Sequence, residues 1–399
     1  MNNPSAMRTA SPIAALATLA TLAAAMTLSL PAQAQPTTPL KVGFMLPYSG
    51  TFAALGDMIE KGFRLHVEEQ GGKLGGRSLQ YVRIDDESDP SKATDNINKL
   101  IKRDNVDVIV GSVHSGVAMA MSKAAKDSGT LLIVPNAGAD AVTGVQCAPN
   151  VFRTSFSNWQ SGYSSGMIAA QKGYKRAVTI TWNYAGGNEI VKGFVEAFEK
   201  SGGQVSKNLT LPFPNVEFQA LLTDIASQKP DVVFSFFAGG GAVKFVKDYD
   251  AAGLKKSIPL IGAGFLTDGT LEAQGASAQG LVTSLHYGDR LDTPRNNAFR
   301  AKFSGAYKAE PDVYAVQGYD AAQLLTVGLG AVKGDNSKRD AMFAAMRGAR
   351  IDSPRGAFTM SPNHNPIQDF YAREVKGQEN VIVGVAVKAL ADPGRGCKM

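Results

Sequence analysis

Cysteine is nearly absent: the 399-residue chain has two, Cys147 and Cys397, so no dense disulfide framework holds a small scaffold together. Histidine is scarce as well. His66, His114, His286 and His364 follow no ligand spacing, which argues against a zinc centre or any other metal site. There is no polybasic run and no aromatic-rich basic stripe. The 41 Lys and Arg are interspersed with 35 Asp and Glu, so a formal net charge of +6 carries no nucleic-acid footprint. Beyond an amino-terminal leader, no apolar stretch is long enough to span a bilayer. What is present, 44% hydrophobic residues with 42 Gly and 19 Pro, describes a globular protein. At roughly 150 residues per domain the chain has room for two units.

Met1–Ala34 reads as a secretory signal peptide: Arg8, then an Ala/Leu/Thr-rich apolar run, then Pro31-Ala32-Gln33-Ala34 with an A-x-A cleavage signal ending near Ala34. No cysteine follows the run, which argues against a lipid anchor. Export to the periplasm is expected. In that oxidising compartment a Cys147–Cys397 disulfide is permitted, although two cysteines alone do not establish it.

From Leu40 onward, short apolar runs alternate with amphipathic segments. Strands are expected at Val42–Leu46, Leu79–Ile84, Val106–Gly111 and Leu131–Pro135, separated by helices at Leu55–Glu69, Ser91–Arg103 and Val117–Asp127. The order repeats from Ala177, with strands at Ala177–Thr181, Gln204–Leu211, Val232–Phe236 and Ile258–Ile261. NVDVIVGS in the first half even matches KPDVVFSF in the second. Such an alternation implies α/β architecture, two Rossmann-like lobes with parallel sheets covered by helices. The remaining helices, Arg295–Tyr307, Tyr314–Val332 and Asp340–Arg347, and strands at Gln368–Glu374 and Val381–Val385 do not complete a third lobe. They return the chain between the first two, which implies crossovers and a hinge.

No catalytic constellation emerges. Gly111–Gly116 (GSVHSG) lacks Ser at the centre that a nucleophile elbow requires, and His114 and Ser115 are adjacent in sequence, a poor arrangement for a nucleophile and its base. Gly239-Gly240-Gly241 follows a strand and precedes a helix, yet Lys244 stands where a dinucleotide fingerprint needs Gly. Its small residues suit a close approach to the backbone. No cofactor is expected, and the chain reads as a binding protein rather than an enzyme.

In open α/β sheets, ligands sit beyond the carboxyl ends of the strands, here in a cleft between the lobes. In the first lobe those ends carry His114-Ser115-Gly116, which opens a helix whose free N–H groups attract an anion, and Asn136-Ala137-Gly138, whose small residues let a ligand approach the backbone. In the second lobe they carry Tyr184, Phe237-Ala238 and Gly264-Phe265. Alternation puts Phe234 and Phe236 on one side of their strand and Phe237 on the other, and Phe237 is taken as a cleft candidate.

The segments KVGFMLPYSGTFAALGDMIEKG, YVRIDDESDPSKATDNINKLI, VDVIVGSVHSG, LLIVPNAGA, DVVFSFFAGGGAVKFVKDY and PLIGAGFLTDGTL together make nearly the whole mature chain resemble one family. It is the periplasmic solute-binding proteins of branched-chain amino acid (Leu/Ile/Val) type ABC importers, the type I periplasmic binding fold. The resemblance implies two lobes joined by a three-strand hinge: 35–155 plus 286–358 in lobe 1, and 156–285 plus 359–399 in lobe 2. It also implies a monomer that closes on a small carboxylate and hands it to a membrane permease. Transferred to this sequence, the family's carboxylate-binding Ser is Ser115, with Asn136 and Gly138 beside it and Tyr48 and Phe52 in the first loop over the ligand.

One departure matters. Amino-acid-binding members carry an acidic residue for the ligand ammonium where this chain has Gly264 or Phe265. Burying an ammonium without a partner costs several kcal/mol. An aromatic acid of benzoate-like or phenylpropenoid-like form is therefore favoured, and variants of the family with GAGFLTDGT look like aromatic-acid binders. A branched-chain or other amino acid receptor is the alternative, using Asp268 or Glu189 for the ammonium. An exported α/β hydrolase ranks below both.

Overall fold

A computed structural model describes residues 38–399; the leader assigned to Met1–Ala34 lies outside the described residues. The first apolar run, Leu40–Leu46 (β1), lies inside a six-stranded sheet because both its faces are covered. Its companions are Lys73–Leu74 (β2), Arg77–Asp85 (β3), Val108–Gly111 (β4), Leu131–Val134 (β5) and Val151–Arg153 (β6), in the order β2-β3-β1-β4-β5-β6. All its pairings are parallel except the short β2–β3 hairpin.

The second sheet has nine strands. Arg176–Trp182 (β7), Gln204–Leu211 (β8), Val232–Phe236 (β9), Leu260–Ala263 (β10) and Val282–Leu285 (β11) form a parallel block. Arg350–Ile351 (β12), Phe358–Met360 (β13), Pro366–Lys376 (β14) and Glu379–Leu390 (β15) add antiparallel strands, with β14 pairing both β11 and β15. The fold is thus α/β with two sheet-containing lobes. Residues 350–360, assigned with lobe 1 as far as 358, pair as β12 and β13 with the start of β14.

Helices close both faces, and glycine lets two pairs of them cross at backbone distance. A Cβ on Gly62 of the helix Ala53–Glu69 would lie 1.9 Å from the Ala315 carbonyl oxygen, and one on Gly318 would lie 1.9 Å from that of Ile59. That crossing brings the long helix Val313–Ala331, late in sequence, onto the first lobe. The helix Asn158–Gln171, which sequence periodicity does not anticipate, crosses the helix Ala185–Lys200 in the same way through Gly162. Cys147 and Cys397 form the disulfide.

Candidate ligand-binding site

Strand β4 ends at Gly111, and the chain turns through Ser112-Val113-His114 into the helix Ser115–Ser128. His114 caps that helix, its Nδ1 accepting the Gly116 N–H at 3.1 Å. Its ring stacks on Tyr184 with centroids 4.7 Å apart, and burial holds its pKa down at about 4, so the imidazole is neutral. Ser115 comes next. Its Oγ accepts a hydrogen bond from Asn158 Nδ2 at 3.1 Å, and the same amide nitrogen donates to Glu189 Oε2 at 2.7 Å. Since Oγ already accepts, its own proton is left to donate into the space beside it.

That space is a small cavity at the facing strand ends of the two sheets. From the first sheet's side come Phe52, Leu55, Val113, Ser115, Asn136 and Gly138. From the second come Tyr184, Phe236, Ala238 and Phe265; Phe156, Asn158 and Tyr314 complete the wall. Phe156 and Phe265 lie 4.7 Å apart by centroid, and Phe236 meets Phe265 edge-on at 6.2 Å. Gly138 has no room for a side chain, because a Cβ would fall 2.3 Å from Asn158 Oδ1 and 2.5 Å from the Phe156 ring. No residue lining this cavity is charged. The attraction for an anion comes from hydroxyl and amide donors and the positive end of the helix Ser115–Ser128.

A chamber between two lobes with aromatic walls, polar groups from Ser115, Asn136 and Asn158, and a helix N-terminus as its anion-attracting end suits capture of a small molecule, and the comparisons with known proteins agree. The sequence pattern of the family described as periplasmic binding protein matches residues 39–380. The chain belongs to that family. A solute-binding protein of an ABC transporter from R. palustris, solved in complex with benzoate, is 54% identical with a TM-score of 0.89, covering 91% of this chain and 100% of that one. A solute-binding protein from Rhodopseudomonas palustris BisB5, solved with 3,4-dihydroxy benzoic acid, is 30% identical with a TM-score of 0.84, covering 89% and 99%. Leu/Ile/Val-binding protein homolog 6 of Brucella melitensis is 31% identical over 363 residues, 89% of this chain and 92% of the relative. The two-lobed α/β fold is that of type I periplasmic binding proteins.

In this periplasmic binding protein, seven of the residues singled out from sequence line the cavity: Phe52, Ser115, Asn136, Gly138, Tyr184, Ala238 and Phe265. The others stand outside it. Tyr48 turns away to donate to Glu60 Oε2 at 2.5 Å, with the Arg83 guanidinium over its ring. Phe237 packs edge-on against Trp182 and between Phe218 and Phe245 in the core, so alternation delivers its neighbour Phe236 to the cavity instead. His114 and Gly116 stand behind Ser115 as cap and first turn. Ala137 is buried with its N–H on the Ser112 carbonyl, and Gly264 gives its carbonyl to Arg373. Leu55, Val113, Phe156, Asn158, Phe236 and Tyr314 were not anticipated.

The glycine run Gly239–Gly241 serves close approach. Gly239 has φ +54°, and a Cβ there would sit 2.4 Å from the Thr51 carbonyl oxygen across the cleft, while one on Gly241 would strike Trp182. Asn136 donates to Gln317 Oε1 at 2.7 Å, and Gln317 Nε2 reaches His286 Nε2 at 3.2 Å. The two acids considered for an ammonium are engaged elsewhere. Asp268 pairs with Arg373 at 2.6 Å, and Glu189 Oε2 accepts from Asn158 and from the Asp140 N–H at 3.0 Å.

Asp140 and Glu189 sit together, half-buried, behind Ser115. Burial, then the charge of Glu189, pushes the Asp140 carboxyl up to about 7, and burial raises Glu189 as well. Asp140 in the native protein therefore holds a proton that the unfolded chain, with an ordinary Asp near 3.9, releases. Its contribution to stability is full at low pH and is lost as pH rises from about 4 to about 7. Asp140→Asn is expected to flatten this decline, by at most about 1.4 kcal/mol per pH unit. Thermal midpoints of both proteins at pH 5 and pH 8 check it; parallel changes in the two would contradict the assignment.

Proposed function

We propose that this periplasmic binding protein is the capture component of an ABC importer for an aromatic monocarboxylate of benzoate-like or phenylpropenoid-like form. The observation that carries the reading is the combination of an anion-attracting helix terminus at Ser115 with a chamber walled by Phe156, Phe236 and Phe265 and lined by no acid. A carboxylate placed at Ser115 Oγ turns its ring toward those aromatic walls. Covering on the order of 200 Å² of ring contributes roughly 5 kcal/mol at 25 cal/mol per Å². An amino acid would bring an ammonium with no partner on the cavity wall, a penalty of several kcal/mol. The benzoate bound by the 54% identical R. palustris protein supports the choice. The resemblance to Leu/Ile/Val-binding homologues keeps branched-chain amino acids as the second reading.

The ligand touches groups from both lobes, so its binding energy favours the shut arrangement, and hinge closure presents the loaded form to a permease. Export to the periplasm by the leader at Met1–Ala34 and action as a monomer belong to the same proposal. No catalysis is invoked.

A thermal-shift panel tests the reading, because a ligand of the native state raises the unfolding temperature. Benzoate and related aromatic acids are expected to stabilise the protein and leucine and valine to leave it unchanged; the reverse pattern sinks the aromatic assignment. Ser115→Ala removes the hydroxyl aimed at the carboxylate. A loss of about 1–3 kcal/mol, roughly 5- to 150-fold in affinity, is expected by calorimetry with benzoate. Unchanged affinity would take Ser115 out of the site.

A further inference from the structure

A row of hydrogen bonds runs from the main chain at Asp140 to the cavity, and its direction is fixed from the far end. The Asp140 N–H can only donate, and it donates to Glu189 Oε2 at 3.0 Å. An oxygen held there is an acceptor, so the Asn158 amide turns its nitrogen toward the same Oε2, at 2.7 Å. That choice sends the amide oxygen Oδ1 toward Gly138, where a Cβ would fall 2.3 Å from it. The amide nitrogen has a second hydrogen, and Ser115 Oγ lies 3.1 Å away to accept it. Ser115 therefore keeps its own proton for the cavity it lines.

Nothing else in the row would hold the amide this way round. An Asn side chain has an acceptor end and a donor end of nearly the same shape, and the Asn158 backbone is tied separately, its N–H on the Gly138 carbonyl at 2.7 Å. Without an acceptor at Glu189 the amide is free to turn over and offer Oδ1 to Ser115. The hydroxyl would then give its proton to Asn158 and meet a ligand carboxylate with lone pairs. Glu189 itself is not among the residues lining the cavity. It sits in the helix Ala185–Lys200, and Asn158 opens the helix Asn158–Gln171, while Ser115 and Asp140 follow β4 and β5. The row is thus assembled from four separate segments of the chain.

We propose that Glu189 is a positioning residue for anion capture, orienting the Asn158 amide so that Ser115 presents a proton to the ligand carboxylate. The inference rests on the aromatic-carboxylate reading and adds to it a residue that acts through Ser115 without lining the site.

Calorimetric titration of benzoate into Glu189→Leu and Glu189→Gln, each made alone and together with Ser115→Ala, tests it. Glu189→Leu is expected to weaken benzoate about 5- to 20-fold, because the acceptor is gone. Glu189→Gln removes the charge but keeps an oxygen for the Asp140 N–H and the Asn158 amide, and it is expected to stay within about threefold of wild type. In the Ser115→Ala background Glu189→Leu is expected to cost less than about twofold more, since there is no hydroxyl left to orient. A merely structural role would cost the same in both backgrounds. Equal losses in the two backgrounds, a loss in Glu189→Gln as large as in Glu189→Leu, or unchanged affinity in Glu189→Leu overturns the proposal. If Glu189→Leu does not fold, Asn158→Ala takes its place in the same cycle, and losses that add to that of Ser115→Ala overturn the proposal. Failure of the underlying reading looks different: wild type itself would bind leucine and not benzoate.

Discussion

Arg373→Met is expected to destabilise the protein by about 3–5 kcal/mol, because it leaves the carboxylate of Asp268 buried without its cation. Both side chains are fully buried, and the guanidinium meets Asp268 at 2.6 Å while also donating to the carbonyls of Tyr287 and Gly264 and to Thr283 Oγ1. Removing it strips several acceptors of their donor at once. Burial already lifts the Asp268 carboxyl to about 6 with Arg373 in place. Without the cation it rises further, so the variant should lose stability as pH climbs through neutrality. The effect reaches the cavity, since the Gly264 carbonyl immediately precedes Phe265, one of its walls. Urea unfolding measures the loss. A midpoint within about 1 kcal/mol of wild type would mean that the pair is not buried as described. Replacing both partners by apolar residues is expected to recover much of the stability.

The second large effect belongs to the disulfide. Cys147 and Cys397 are 250 residues apart, so the bond closes a very long loop in the unfolded chain. Loop-closure entropy puts its worth at about 5 kcal/mol as an upper figure, with 2–5 kcal/mol as the usual range for a native bond. Its position explains why the chain makes it. The segment after β15 returns toward the loop that precedes β6, where Asp392 accepts from Thr143 Oγ1 and Asn363 Nδ2, each at 2.8 Å. Arg395 pairs with Glu196 at 2.9 Å. The bond fastens the end of the chain across that polar cluster. Cys147→Ser/Cys397→Ser is expected to lower the thermal midpoint by several degrees and to leave benzoate affinity nearly unchanged, because neither cysteine lines the cavity. An unaltered midpoint, or an unaltered response to reductant in the parent protein, would contradict a structural role.

The parallel strands were legible because both their faces are buried, leaving short unbroken runs such as Leu131–Val134 and Val232–Phe236. The position of Ser115 at the start of a helix was legible because a strand running into a helix has only one turn to offer. The helix Asn158–Gln171 was not. Its sequence, NWQSGYSSGMIAAQ, has no apolar stripe, since it is buried on most sides and meets its neighbour through glycine rather than through Leu or Ile. Missing that helix also meant missing Phe156 and Asn158 at its start. Ser157-Asn158-Trp159-Gln160 carried the available signal, a capping box in which Ser157 and Gln160 bond each other's backbone. The choice of Phe236 over Phe237 needed the position of Trp182, which no local alternation supplies. Tyr314 was read as the start of a helix, but only the crossing at Gly62 and Gly318 carries that helix to the cleft.

The central claim is that the chamber between the lobes holds an aromatic acid by its carboxylate, and a crystal structure of the protein with benzoate tests it most directly. The expected result is a carboxylate oxygen within hydrogen-bond distance of Ser115 Oγ and the ring packed against Phe156, Phe236 and Phe265. Benzoate absent from this chamber, or an amino acid there with its ammonium on Glu189, would contradict it.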